Sequence, residues 1–531
     1  MEAAATSVES KIEAANPPHR WLVALAVMLG TSLEILDSSI VNVALPHMRG
    51  TFSASLDEIS WVVTSYLVAN GIMIPMTGWI SARFGRKRYF LLSMTCFILA
   101  SILCGAAQTL QQMVIFRLLQ GAAGAAMIPS SQAILMETFP PEEQQLAMAV
   151  WGMGLMVAPI LGPTLGGWIT DNWSWRWNFY INLPIGLIAF LMVSAFVHDP
   201  SYLAGRRGRK VDYLGMGLLV AALGLMQIVV DRGERADWFN TPWVVYATAG
   251  SALAFVLLTL RELYFSEPII DLRILKERIF AVSLMLMVGM SGVLFGTLLI
   301  SPIFMQEFLG YTPWLSGLVQ APRGLGSMTG MLVVGQMSRR GHDTTPFVGV
   351  GFMLVALSSW IISGWNLQAS MWAVMWPPVI MSLGFGMIFP TISAAALSGI
   401  KPERMGYAAS LYNMMRNTGA AIGIAYMTNT LTRHQQVHQS ILAEHYSIFD
   451  AWRLSTVPAM RPGAPVFGYL PQIMSGQKQG FGMLYGLVQA QASMLAFNDI
   501  YRMLAGLSLV MVPAFLLLRG GKKIAAGAPV H

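Results

Sequence analysis

The sequence predicts an all-α polytopic membrane protein, on three observations. Apolar residues make up 55% of the 531 residues and charged ones only 11%, far below the roughly one quarter of a soluble domain. Uncharged apolar stretches near the ~20 residues needed to cross hydrocarbon recur from end to end. The basic residues gather between those stretches rather than within them.

Taken in order, the spans read 21 to 44, 60 to 80, 89 to 108, 113 to 135, 146 to 169, 178 to 197 and 212 to 230. Seven more follow at 243 to 263, 280 to 305, 314 to 336, 346 to 365, 372 to 397, 406 to 431 and 500 to 518. The total is about fourteen transmembrane helices. The first twenty residues are polar and mixed in charge, and the run after them is too long for a signal-peptide core, so it is read as a retained helix.

Placing both termini in the cytoplasm puts most of the 33 Lys and Arg on the inside, as the positive-inside rule requires. The strongest contributors are Arg83, Arg86, Lys87 and Arg88, then Arg206, Arg207, Arg209 and Lys210, then Arg261, Arg273, Lys276 and Arg278. The closing Arg519, Lys522 and Lys523 require an even number of crossings. For that reason 480 to 497, although uncharged, is read as an amphipathic or re-entrant element, and 432 to 499 as one large external loop.

A weak repeat relates Gly78, Ile80, Ser81 and Arg83 to Gly335, Met337, Ser338 and Arg340. It implies two six-helix halves, 21 to 197 and 266 to 518, with an inserted helix pair in 198 to 265 and cytoplasmic tails at 1 to 20 and 519 to 531. Repeats of this kind place a substrate site between the halves near the bilayer midplane.

The net charge of +7 is spread over the connectors, so no nucleic-acid partner is expected. Cys96 and Cys104 share one apolar run, which excludes a disulfide framework or paired-cysteine metal site. No Gly-x-x-x-x-Gly-Lys-Ser/Thr loop appears, so nothing cradles a nucleotide's phosphates in the usual way, and no cofactor or enzymatic activity is expected. All eight histidines lie outside the spans, which removes the intramembrane pairs of a haem protein. His434 and His438 have the i, i+4 spacing that permits a metal, but solvated histidines are the expectation and no metal is assigned. The 37 methionines suit surfaces that repack around varied apolar ligands, although none earns an individual role.

Charges inside the apolar spans carry the chemistry. A carboxylate deep in a membrane helix costs at least ~2.5 kcal/mol and normally serves a proton, an ion or a partner, which singles out Asp37. Glu34 lies three residues earlier on the same face, so two acids share a small volume, an arrangement suited to loading and unloading protons. Arg117 lies about a turn and a half from the outer end of its helix and Asp37 about two turns from the outer end of its own, depths that allow a switchable ion pair. Arg416, beside Asn413 and Asn417 in mid-span, is too costly to leave unpaired and should face the cavity. Glu307 ends the ninth span near where Arg323 enters the tenth, which suggests a contact between them. In the fifth span Gly154, Ala158, Gly162, Gly166 and Gly167 would let another helix approach closely, and Pro159 and Pro163 would permit bending.

Several strings resemble a known family. Leu36 to Pro46 reads LDSSIVNVALP, Trp175 to Gly186 reads WRWNFYINLPIG, and Asp231-Arg232-Gly233 precedes Asp237-Trp238-Phe239. Together they are similar to signatures of the fourteen-helix drug:proton antiporters of the major facilitator superfamily, of the EmrB/QacA type, over nearly the whole chain.

The resemblance implies the major facilitator fold in a bacterial inner membrane and proton-coupled efflux of hydrophobic or amphiphilic compounds. It implies an arginine, here Arg117, facing a central cavity with Gln120, Gly121 and Gly124 around it, and cavity roles for Asn42, Gln120, Asn413 and Arg416. The helix-five residues resemble the motif associated with antiporters. Gly78 to Arg88, with Gly78, Arg83, Gly85 and Arg86, resembles a cytoplasmic gating motif, except that Ala82 stands where many relatives have aspartate. That gate must therefore close by other means. EmrB-type transporters also imply an EmrA-like periplasmic adaptor and a TolC-like outer-membrane channel, docked through the 432 to 499 segment. A proton-coupled importer, a membrane enzyme and a sensor on the same fold are the competing readings.

Overall fold

A computed structural model describes residues 19–199, 212–233, 236–265, 268–445 and 478–518, and every regular element among them is helical. The helices are α1 (Arg20–Phe52), α2 (Glu58–Phe84), α3 (Arg86–Ala106), α4 (Leu110–Thr138), α5 (Pro141–Asn172), α6 (Trp177–Phe196) and α7 (Tyr213–Arg232). They continue as α8 (Pro242–Tyr264), α9 (Arg278–Phe308), α10 (Pro322–Arg339), α11 (Pro346–Ile362), α12 (Met371–Ser398), α13 (Met405–His445) and α14 (Lys478–Met511). Ten candidate membrane spans lie among the described residues: α1 to α4, α6 to α9, α12, and Val488–Leu518, which includes most of α14.

Local chemistry sets the boundaries. Ser55 accepts from the Glu58 amide while the Glu58 carboxylate accepts from the Ser55 amide, a capping box at the N-terminus of the helix Leu56–Met73 that forms the first part of α2. Pro75 removes a donor and α2 tightens into a 3-10 turn at Ile74–Met76. Thr109, Asp212 and Ser370 cap α4, α7 and α12 through side-chain oxygens.

Gly85 separates α2 from α3 with φ at +92°, a left-handed conformation that favours glycine. A Cβ there would also come 2.7 Å from Asp199 Oδ2. Asp199 stands that close because its Oδ1 accepts from the Lys87 amide at 2.7 Å, so the carboxylate serves the N-terminus of α3.

The helix pairings repeat. In the first group α1 packs on α5, α2 on α4, and α3 on α4 and α6; in the second α9 packs on α13, α10 on α12, and α11 on α12 and α14. Between them α7 pairs with α8 and leans on α2. The groups meet where α5 crosses α10 and where α13 crosses α2, the crossings expected of one repeated unit facing its copy. Small residues set both contacts. A Cβ on Gly78 would meet the Gly406 carbonyl at 2.7 Å, and one on Gly335 would meet Leu146 Cδ1 at 2.8 Å.

One expectation is corrected. The 432 to 499 stretch is not a loop at its ends, because α13 continues to His445 and Gly480 to Phe497 lies inside α14, continuous with the closing span. Polar helix projecting from a span carries no hydropathy signal, so 432 to 445 reads as loop from sequence, whereas 480 to 497 is set aside as a crossing to keep the number of crossings even. The middle of that stretch, 446 to 477, lies outside the described residues, as do 1 to 18, 519 to 531, Arg206, Arg207, Arg209 and Lys210.

Candidate functional site: a buried acid cluster between helices

Asp37 is fully buried on α1 and both of its oxygens are engaged. Oδ2 accepts from Arg117 Nη1 on α4 at 2.6 Å, and Oδ1 accepts from Gln120 Nε2 at 2.9 Å and from Asn182 Nδ2 on α6 at 2.7 Å. Arg117, also buried, donates through Nε to the Val62 carbonyl at 3.2 Å and through Nη1 to Gln120 Oε1 at 2.8 Å. Its guanidinium carbon stands 4.2 Å from the Tyr66 ring centroid. Asn182 donates also to Ser101 Oγ at 3.0 Å, which ties α3 in. A buried ion pair persists only when the remaining polar valences are met, and here neutral amides and a carbonyl meet them.

Glu34 forms a second, looser cluster. Its Oε1 accepts from Asn70 Nδ2 at 2.9 Å, whereas its buried Oε2 has no hydrogen-bond partner. Asn70 Oδ1 accepts from Asn417 Nδ2, and Asn417 Oδ1 from Arg416 Nη2, each at 3.5 Å. Those bonds are long and weak, but they draw a polar path from α1 through α2 to α13, across the two groups. Arg416 is close enough for its charge to act on the Glu34 carboxylate, and its Nε is buried without a partner.

Asn413 is buried and donates to Gln132 Oε1 on α4 at 2.5 Å, a second bridge across the groups. Asn42 does not join these residues; it is exposed and donates to the Ser38 carbonyl of its own helix at 3.2 Å. The suggested contact between Glu307 and Arg323 does not form. Arg323 turns inward to Gln320 Oε1 at 3.2 Å and Thr297 Oγ1 at 3.5 Å, lining a small cavity with Trp365 and Val374, while Glu307 stays exposed on the π turn that ends α9.

The segment that carries Ala82 meets the start of α13 by backbone contact and by one arginine. Gly78 lets α2 lie directly on Gly406 and Tyr407 at the start of α13. Arg86 is buried, pairs with Glu137 of α4 and donates to the Pro402 carbonyl at 3.3 Å. Arg83 lies over Trp79 at 5.6 Å. On the symmetric side Gln145 of α5 reaches Thr391 at 3.1 Å and Thr344 at 2.9 Å.

The small residues Gly154, Ala158, Gly162, Gly166 and Gly167 of α5 serve its contact with α1. A Cβ at Gly154 would fall on Met28, one at Gly162 on Ser39 Oγ, and one at Gly166 would come 3.1 Å from Ile40; one at Gly167 would lie 3.7 Å from Val43. Ser39 Oγ donates to the Ala158 carbonyl at 3.4 Å. Pro159 and Pro163 lie in the helix, but their side chains are outside the described residues.

Asn182, Asn70, Gln132 and Glu137 were missed as site residues by sequence reasoning. Asn182 was legible only as part of a signature string, and the uncharged amides raise no alarm in a hydropathy count. Glu137, an acid at the end of a span, reads as solvated.

The fold finds its counterpart in known proteins. Residues 27–424 match the Major Facilitator Superfamily. The chain is 32% identical over 493 residues to the Multidrug export protein EmrB of Escherichia coli K12, covering 92% of this chain and 94% of that protein. It is 31% identical over 497 residues to the Fatty acid resistance protein FarB of Neisseria gonorrhoeae, covering 94% and 96%. Among solved structures the MFS proton:xylose symporter XylE superposes with a TM-score of 0.60 at 14% identity, over 94% of this chain and 97% of that one, which shows the fold. A multi-pass helical protein with such relatives resides in the bacterial inner membrane. The buried acid cluster thus sits in a transporter scaffold, and the chain belongs to the Major Facilitator Superfamily, among its EmrB-type members.

Proposed function

We propose that the protein is a proton-coupled multidrug efflux antiporter that exports hydrophobic or amphiphilic compounds. The observation that carries this reading is Asp37, a fully buried carboxylate held by Arg117 through one oxygen and by two neutral amides through the other. Protonating that carboxylate removes the charge that holds Arg117, and the ion pair joining α1 to α4 is lost. Deprotonation restores it. Substrate bound between the halves and a proton on Asp37 then favour opposite arrangements of the same helices, which is the requirement for exchange.

Glu34 is the second protonation site, with Arg416 and the Asn70 to Asn417 path carrying its state to the other half. The arrangement has fourteen crossings with cytoplasmic termini, and Gly78, Arg83, Gly85 and Arg86 gate its cytoplasmic side. The segment between α13 and α14 docks an EmrA-like adaptor that leads to a TolC-like channel. The name of the relative EmrB, a multidrug export protein, supports the export direction.

Purified protein in sealed vesicles tests the central claim. An imposed proton gradient drives uptake of an amphiphilic dye into inside-out vesicles, and adding dye releases protons stoichiometrically. Dye movement unaffected by collapsing the gradient refutes proton coupling.

A further inference from the structure

The strongest unassigned cluster lies where α13 and α14 run side by side, at the ends that flank residues 446 to 477. His434 and His438 are one turn apart on α13 and face Asp499 of α14. His434 Nδ1 stands 3.0 Å, and His438 Nε2 2.7 Å, from the same oxygen, Asp499 Oδ2. The three donor atoms lie within 4.8 Å of one another. None of the side chains is freely solvated; their exposures are 32%, 23% and 22%. The other carboxylate oxygen, Oδ1, accepts from Arg502 Nη1 at 3.1 Å, so the arginine fixes the carboxylate while Oδ2 points at the rings.

We propose that His434, His438 and Asp499 bind a divalent transition-metal cation of the zinc class, clamping α13 to α14. Bonds of 2.0–2.1 Å in a tetrahedral site set donor atoms about 3.3 Å apart. The observed separations from Oδ2 need to open by only a few tenths of an ångström to reach that. Two imidazoles and one carboxylate suit zinc, cobalt or nickel, whereas calcium and magnesium demand oxygen ligands. Water or a group from another segment completes the fourth position. The ring nitrogens must be deprotonated to bind, so the cation replaces the hydrogen bonds that otherwise hold the cluster.

The inference does not depend on proton coupling or export, and its test reads metal directly. Tag-free full-length protein in detergent, stripped with chelator and dialysed, is titrated with Zn2+ by calorimetry and its metal content measured. One Zn2+ per chain is expected, with no saturable binding of Ca2+ or Mg2+ at the same concentration. His434→Ala, His438→Ala and Asp499→Asn each weaken binding by at least ~10-fold. The wild type, and not the variants, gains thermal stability with Zn2+. Because Asp499→Asn could disturb packing, each variant is compared by elution profile. Co2+ binding supplies a second readout, since tetrahedral visible bands appear with the wild type and vanish in His434→Ala. Absence of saturable Zn2+ binding, or binding that survives all three substitutions, overturns the proposal and leaves a metal-free cluster of hydrogen bonds.

Discussion

Asn182 and Asp37, 145 residues apart in sequence, are joined by a 2.7 Å hydrogen bond that brings α6 to the acid of α1. With Gln120 it saturates the oxygen that Arg117 leaves free. Asp37→Asn keeps the shape and removes the titration, so proton-driven transport in vesicles should vanish, with a stability loss of about 3–5 kcal/mol because the buried Arg117 loses its counter-charge. Asn182→Leu should retain some transport but lower thermal stability, since a hydrogen bond to a charged group contributes about 1.5–3 kcal/mol. Near wild-type proton-driven transport by Asp37→Asn would remove Asp37 from the coupling step.

Arg117 and Arg323 differ in what their loss exposes. Removing Arg117 leaves a buried carboxylate with neutral donors only, a change that costs about 3–5 kcal/mol when a buried pair is broken. Removing Arg323 frees only Gln320 and Thr297. Arg117→Ala should therefore uncouple transport far more severely than Arg323→Ala, measured as dye moved per proton. Equal defects would detach Arg117 from coupling.

Much of this cluster was legible in the sequence because charge inside an apolar run is conspicuous: Asp37, Glu34, Arg117 and Arg416 stand out at once. Their neutral partners do not. Asn182, Asn70 and Gln132 match the composition of many spans, and only folding shows that they face the acids or bridge the halves. The same limit explains α13 and α14. Helical pairing extends past the lipid-sized stretch into polar residues, where tertiary contact such as that of Asp499 with His434 and His438 sustains the helix without a hydropathy signal. The expectation for Glu307 and Arg323 failed because nearness along the chain was taken for facing: Glu307, within the π turn Phe304–Phe308, is exposed, whereas Arg323 turns inward to Gln320 and Thr297.

Glu34 keeps one buried oxygen unsatisfied, and Arg416 one buried nitrogen. Such incomplete pairing suits a group that changes protonation state more than one that is permanently locked. Glu34→Gln should preserve transport at the optimum and alter the pH profile, because it deletes a titrating neighbour of Asp37 and weakens the pull on Arg416. A profile superimposable on the wild type would make Glu34 a structural residue.

Gly78 is the contact that lets α2 rest on α13. A side chain there meets the Gly406 carbonyl and the Tyr407 backbone, neither of which can rotate away. Gly78→Val should hold the halves apart at that end. In a background lacking Cys96 and Cys104, a thiol placed at buried Ser410 should become reactive to a water-soluble maleimide, with at least ~10-fold faster labelling. Unchanged labelling would show that closure does not depend on this glycine.

The adaptor prediction narrows with the helices. Since 432 to 445 and 480 to 499 are helical and belong to the paired α13 and α14, the adaptor prediction rests on the segment 446 to 477, which lies outside the described residues. Its sequence mixes aromatic residues with prolines, including Trp452, Phe467 and Tyr469 beside Pro458, Pro462, Pro465 and Pro471. That composition is unlike a flexible Gly/Ser linker, and aromatic side chains supply large contact area at interfaces. A connection this long between paired helices usually has a task. Replacing 446 to 477 with a short Gly/Ser linker leaves both helices intact, so dye transport by the protein alone in vesicles should persist. Co-purification of an EmrA-like adaptor should be lost in the same variant. Adaptor retained at wild-type yield would place docking on another surface and reduce the segment to a cap over the transporter mouth.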